Sequence, residues 1–329
     1  MKLRVGVVGV GPAWESRHLP ALRALSDRFE VCAVCDPVQH RAEQVAQQFH
    51  ATVHDGFRLL SSREDIDSIL QLSARFYGAT PIYAACDLGK AIYCAAAIDM
   101  DDAESTALHR RLKDSGIAFM AEFPCRLSPA TLRLKELIAT KLGEPRLLFC
   151  NRRRVSPSSR EGSDRCLHDL VELIDWCRYL VEPEPTSVVA TSHQMSEDRK
   201  NDYFSVTLDC SPAGETGTGP LAIIGCGDYV PKSLAESLSY RRPADLKIVC
   251  ERGIAFVDLP HTVAWFDEAG QHLETLDHER PVGELLLLHF HRAVESLVLR
   301  SSNLKDAYRA VVIANRAKES CHSGKRISC

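Results

Sequence analysis

The sequence has no surplus of positive charge. Its 40 Lys and Arg stand against 44 Asp and Glu, a net charge of −4, with a pI near 6.4. That balance gives no electrostatic footprint for nucleic acid or for an anionic membrane. Nor is there an apolar run approaching the ~18 residues of a membrane span. Internal repeats and low-complexity segments are also missing. A disulfide framework is not expected either, because 13 cysteines is an odd number and the chain is long. Met1-Lys2-Leu3-Arg4 leads straight into Val5-Gly6-Val7-Val8, so no targeting segment is expected and the thiols should sit free in a reducing cytoplasm. The closest pair, Cys32 and Cys35, falls on an expected strand. Positions three apart there face opposite sides, which argues against a redox or zinc pair. What remains, at 329 residues with 45% hydrophobic and 26% charged, is ordinary for a soluble protein of about two domains.

The first ~120 residues alternate strand and helix patterns. Strands are expected at Arg4–Gly9, Phe29–Cys35, Ile66–Leu72, Ala91–Cys94 and Ala118–Glu122. Helices are expected at His18–Leu25, Val38–Phe49, Thr80–Leu88 and Asp101–Ser115. Such alternation with short connections implies a doubly wound parallel sheet of the Rossmann type. After Phe123 the pattern changes. Pro129–Thr140 and Leu167–Leu180 read as helices. Arg146–Asn151, Thr186–His193, Phe204–Cys210, Leu221–Gly225, Asp245–Glu251 and Ile254–Asp258 read as strands, and Glu284–Leu299 and Leu304–Ser320 close the chain as helices. The polar stretch Val155–Arg165 reads as a loop. The expected architecture is α/β: a Rossmann domain over 1–122, then an α+β domain over 123–329 with a large open, mainly antiparallel sheet and C-terminal helices.

The strongest local signal is Gly9-Val10-Gly11 between the first strand and the first helix, with Asp36 closing the second strand. Glycines permit a tight turn and close approach of a pyrophosphate. A helix N-terminus offers N–H groups and partial positive charge, and a carboxylate at that strand end can accept from a ribose hydroxyl. Gly9, Gly11, Pro12, Ala13, Trp14, Asp36 and Ser73 are the candidate cofactor-binding residues. Trp14 stands where a third glycine is usual. Asp36 favours NAD over the alternative NADP, and Arg41 lies five residues on, too far to decide between them. A Rossmann-like turn that holds no nucleotide is the competing reading.

These segments resemble the Gfo/Idh/MocA family of nicotinamide-dependent sugar and polyol oxidoreductases. Gly9-Val-Gly11 with His18-Leu-Pro20-Ala-Leu22 is similar to the family's G-x-G…H-x-P-A-L opening, with one extra residue in the loop. Val31–Asp36 resembles its V-A-V-C-D strand, and Glu64–Ile69 followed by Leu88-Gly89-Lys90 resembles its third strand and G-K turn. Ala121–Arg126 with Pro129-Ala130 resembles its entry to the second domain. Leu173-Ile174-Asp175-Trp176 resembles its H-x-x-D helix, and Ser323-Gly324-Lys325 its closing segment. The resemblance implies a Rossmann half followed by an open sheet that carries the substrate site and the oligomer contact.

Three departures stand out. Where the family has E-K-P, with a Lys beside the nicotinamide that helps proton transfer, this chain has Ala95-Ala96-Ala97 after Cys94. Where it has A-T-P-x-x-x-H, this chain reads Leu72-Ser73-Ala74-Arg75-Phe76-Tyr77-Gly78. And three residues before Asp175 stands Glu172 rather than His. Helix spacing puts His168, Glu172 and Asp175 on one face. A carboxylate beside an imidazole can be tuned toward acid–base work by burial, so these three are the candidate catalytic residues. A charged solvated face is the plainer reading, and no metal site is expected. His289 and His291 point apart. Arg152-Arg153-Arg154 could offer Arg152 and Arg154 to an anion, or could simply form a solvated strand edge.

The expected activity is hydride transfer between NAD and a sugar-like or polyol substrate, with Glu172, His168 or Tyr77 replacing the missing Lys. The alternative is a non-catalytic dinucleotide-binding sensor or scaffold, which the triple Ala would explain directly. A fold kept without any cofactor is a third reading. Partners are expected to be a small molecule and copies of this chain, as a homodimer or homotetramer that covers the open sheet, with neither nucleic acid nor membrane.

Overall fold

The computed structural model describes the chain except residues 74–75, 96–99, 157–162, 195–202 and 297–301; side chains at 163–165 and 302–303 are also left aside. The chain divides into two compact units. One comprises Met1–Pro124 with Arg280–Arg309, the other Cys125–Glu279 with Ala310–Cys329. The chain therefore crosses between units three times, where the sequence suggested one crossing near residue 122.

The first unit is built on six parallel strands: β1 Leu3–Val8, β2 Phe29–Cys35, β3 Thr52–Val53, β4 Ser68–Gln71, β5 Ala91–Cys94 and β6 Phe119–Ala121. Their order is β3-β2-β1-β4-β5-β6, the doubly wound arrangement with its switch point between β1 and β4. Apolar runs such as Val5 to Val8 are fully buried because helices cover both faces. Helix Asp102–Ser115 starts on a capping box in which Asp101 accepts from the Glu104 N–H at 2.8 Å, and Gly116 ends it in the left-handed region. Helix Val282–Glu295 returns to this unit, burying Leu286, Leu287 and Phe290.

The second unit is built on a nine-stranded mixed sheet, ordered β14-β13-β12-β11-β7-β10-β9-β8-β15. Its strands are β7 Pro145–Val155, β8 Ser187–His193, β9 Tyr203–Asp209, β10 Leu221–Val230, β11 Leu246–Cys250, β12 Ile254–Asp258, β13 Thr262–Asp267, β14 Gly270–Thr275 and β15 Ile327–Ser328. Among the described residues only β7 and β10 of this sheet pair in parallel; the other pairings are antiparallel. One face is buried through Leu148, Cys150, Ile224, Val206 and Ile248, with helix Ser163–Leu180 packed on β7, β9 and β10. The other face exposes Leu147, Val189, Ile223 and Phe266.

Several elements differ from the sequence reading. β7 runs four residues past Asn151 and β10 five past Gly225, because arginines at the end of β7 find buried carboxylates. The long helix begins at Ser163 rather than Leu167, within the stretch read as a loop; residues 157–162 of that stretch lie outside the described residues. The hairpin β13–β14 was not anticipated, since β14 is a half-exposed edge strand with little apolar alternation. None of the thirteen cysteines forms a disulfide among the described residues, and ten are buried. Among the described residues no helix is long and apolar enough to cross a membrane.

Candidate functional site

In the first unit, β1 runs into the glycine turn. Gly9 has φ +72°, a conformation that favours glycine. Its N–H donates to the Cys35 carbonyl at 2.8 Å. A Cβ on Gly9 would lie 3.0 Å from Ser73, and one on Gly11 would lie 2.0 Å from the Leu72 carbonyl oxygen. Both glycines are thus required by close approach of the turn to the end of β4, which also brings Ser73 beside it.

Asp36 is the clasp of this turn. Its Oδ2 accepts the Val10 N–H at 2.7 Å and its Oδ1 the Val38 N–H at 2.8 Å. Each carboxylate oxygen keeps a further lone pair for a ribose hydroxyl. Arg41 reaches back to the turn: its Nη1 lies 3.4 Å from the Val10 carbonyl and 3.7 Å from Asp36 Oδ1. The helix closes the gap that sequence distance suggested and sets Arg41 beside Asp36. Trp14 is buried, its ring edge-on to Phe49 at 6.1 Å. The N–H groups of Gly11 and Ala13 have no protein acceptor among the described residues. Two open donors at a helix start fit a dinucleotide's phosphates.

A buried polar cluster that sequence reasoning missed lies at the strand ends. Glu122, just after β6, accepts from Arg17 and from the Tyr93 hydroxyl at 2.6 Å, and meets His18 Nε2 at 2.8 Å. Burial, then the Arg17 charge, pushes His18 down to about 3. It is therefore neutral, with its proton on Nε2 toward Glu122. The Glu122 N–H also donates to the Cys94 carbonyl at 2.8 Å, tying this cluster to the end of β5. Ala96 and Ala97, read as the replaced E-K-P positions, lie outside the described residues; the Ala95 N–H donates to the Gln71 carbonyl at 2.9 Å. Tyr77 meets Cys35 Sγ at 3.2 Å, and burial together with that thiol raises its pKa further above neutrality. It stays a phenol and cannot serve as the proton acceptor.

In the second unit, helix Ser163–Leu180 carries His168, Glu172 and Asp175. The last two are buried, and the fold gives them separate tasks. Asp175 takes a two-pronged pair from Arg126 at 2.6 and 2.7 Å. Glu172 accepts from Arg152 Nη1 at 2.5 Å and from Cys125 Sγ at 3.0 Å. Burial alone would raise the Glu172 carboxyl, but the Arg152 charge and His168 outweigh it and hold it down at about 2. Arg152 also donates to Asp169 at 3.0 Å, and Arg154 joins Asp169 at 2.5 Å. Burial lowers the pKa of His168 against the opposing pull of Glu172 and Asp169. The helix thus combines a neutral imidazole with a permanently ionised carboxylate. Among the described residues no group of three or more His, Cys, Asp or Glu side chains is placed to hold a metal ion.

Comparison with known proteins bears on both units. Residues 3–123 match the Gfo/Idh/MocA oxidoreductase family, described by its NAD-binding Rossmann fold. An inositol 2-dehydrogenase of Cereibacter sphaeroides is 29% identical over 200 residues, covering 57% of this chain; the match spans 56% of that relative's length. A levoglucosan dehydrogenase solved with NADH and levoglucosan superposes with a TM-score of 0.83 at 17% identity, over 100% of this chain and 99% of that one. An aldose–aldose oxidoreductase of Caulobacter crescentus superposes at 0.84 and 14% identity, over the whole of both chains. The last two show a shared fold. The family match covers residues 3–123, the Rossmann part of the chain, and the two-sheet architecture that follows is shared with these solved structures as a fold.

Proposed function

We propose that the protein is an NAD-dependent oxidoreductase acting on a polyol or sugar-like molecule. The observation that carries this reading is the turn after β1: two glycines forced by close approach, two N–H donors without a protein acceptor among the described residues, and the Asp36 carboxylate at the end of β2. A bound nicotinamide would supply the hydride acceptor. Gly11 and Ala13 would donate to its phosphates and Asp36 would accept from a ribose. Arg41, alongside, would serve a 2′-phosphate, which keeps NADP as the alternative cofactor.

Oxidising an alcohol also requires its hydroxyl proton to be taken up. His168 suits that task, being neutral near pH 7. Glu172, held at about 2, is too weak a base and instead fixes Arg152 and the His168 environment. Asp175 anchors Arg126 and contributes no proton step. The exposed apolar face of the second sheet supports a homodimer or homotetramer that covers it. The test is a screen of polyols and sugars by nicotinamide absorbance, with His168→Asn alongside. Turnover that falls about 10²-fold or more in His168→Asn supports the assignment; equal rates would remove His168 from the mechanism.

The Ala95-Ala96-Ala97 run favours a second reading. In it the protein binds the dinucleotide without turnover, as a sensor or scaffold. Saturable NADH binding with no oxidation across that panel would select it.

A further inference from the structure

The second unit contains a cavity of about 500 Å³ whose walls include Asn151, Arg152, Arg153, Arg154, Arg242 and Asp245. That volume falls in the range of small-molecule sites, roughly 300–1,000 Å³. Three of its four guanidiniums are already neutralised. Arg152 and Arg154 turn toward helix Ser163–Leu180 and pair with Glu172 and Asp169. Arg242 pairs with Asp245 at 2.7 Å. Arg153, between Arg152 and Arg154, points to the other side of β7 by strand alternation. Among the described residues it has no carboxylate partner, and its Nη2 is buried without an acceptor.

A guanidinium donor removed from water and left unmet costs free energy. Sequences rarely retain such a group beside a cavity unless something fills the gap. The neighbours tell what would fit. Among the described residues the charge left without a carboxylate is one unit, matching a carboxylate rather than a phosphate monoester, which carries nearly two. Arginine's planar fork also takes a carboxylate through two parallel hydrogen bonds. Asn151 and Ser239 on the wall add hydroxyl- and amide-type partners, which suit a ligand bearing hydroxyls.

We propose that this cavity binds a small hydroxylated monocarboxylate, of the uronate or aldonate class, with its carboxylate on Arg153. The site is defined by Arg153 and not by His168, so it stands apart from the hydride-transfer reading.

The experiment is calorimetric titration of the full chain, without cofactor, with glucuronate, gluconate, glucose and glucose 6-phosphate at one ionic strength. The two acids should bind and glucose should bind at least tenfold more weakly. Arg153→Gln should weaken glucuronate at least tenfold, with Arg153→Lys between it and the parent protein. Ser239→Glu leaves Arg153 in place but sets a carboxylate on the cavity wall, and it should also abolish acid binding. Glucuronate binding no tighter than glucose would overturn the proposal, as would Arg153→Gln or Ser239→Glu binding glucuronate like the parent. Tighter binding of glucose 6-phosphate would overturn the monocarboxylate assignment. If glucuronate gives no heat while Arg153→Gln splits an oligomer in sedimentation, the missing partner is a carboxylate of a second copy and the proposal fails. NADH titration of the same samples reads the oxidoreductase proposal separately, since Arg153 lies outside the nucleotide turn.

Discussion

The nucleotide turn and the arginine cluster of β7 solve opposite problems. In the turn, backbone geometry does the work: Gly9 and Gly11 are small because the end of β4 comes too close for anything else, and Asp36 clasps two backbone N–H groups. Around β7, side-chain charges that are expensive to bury are matched by side chains of another element: Arg152 meets Asp169, Glu172 and Cys125, and Arg126 meets Asp175. The first kind of site is specified by spacing. The second is specified only once the chain has folded, and it fails badly if one member is removed.

The largest expected effect follows from that contrast. Arg152→Ala leaves Asp169 and Glu172 buried with their main counter-charge gone, and should cost about 3–5 kcal/mol. Urea unfolding should show a much lower midpoint, and a shift under 1 kcal/mol would mean the cluster is solvated. Next is Gly11→Ala. Its new Cβ meets the Leu72 carbonyl oxygen, so the backbone must move, at about 1–3 kcal/mol by analogy with overpacking, with weakened NADH binding. A variant as stable as the parent would show that the turn is loose.

Acid should also separate the two regions. His18 has its folded pKa at about 3, below the ~6.5 of an unfolded chain. The unfolded state binds the proton first, so stability should begin to fall as pH drops below ~6.5, by up to about 1.4 kcal/mol per pH unit. Glu172, held at about 2 against an unfolded ~4.3, contributes fully above that unfolded value and loses its contribution only as pH falls from there toward 2. Stability measured from pH 7 to 3 should therefore show an upper limb reduced by His18→Gln and a lower limb reduced by Glu172→Gln. Smallest is Arg41→Ala. It should weaken NADPH about tenfold while changing NADH less than twofold, read by fluorescence; equal losses would give Arg41 a purely structural role.

Legibility in the sequence follows the same divide. β2, β5, β12 and the helix Thr80–Leu88 fall where the pattern placed them, because strand runs and Gly or Pro boundaries are local signals. The two glycines and Asp36 were legible for that reason. The ends of β7 and β10 were not, since Arg152 and Arg154 look like a solvated edge until Asp169 and Glu172 arrive from another element. Helix spacing put Glu172 and Asp175 on one face, but it could not show that each would be claimed by a different arginine. Glu122 stood out only as part of the Ala121–Arg126 resemblance, and its cluster did not: its partners Arg17, His18 and Tyr93 lie 29 to 105 residues away. The short β3 and the edge strand β14 carry too little apolar pattern to announce themselves.

The most direct test of the account is a fluorescence titration of NADH onto the parent protein and Asp36→Ala. Saturable binding that weakens at least tenfold in Asp36→Ala is the predicted result. No saturable binding to the parent, or identical binding by the variant, would contradict the assignment of this turn as the dinucleotide site.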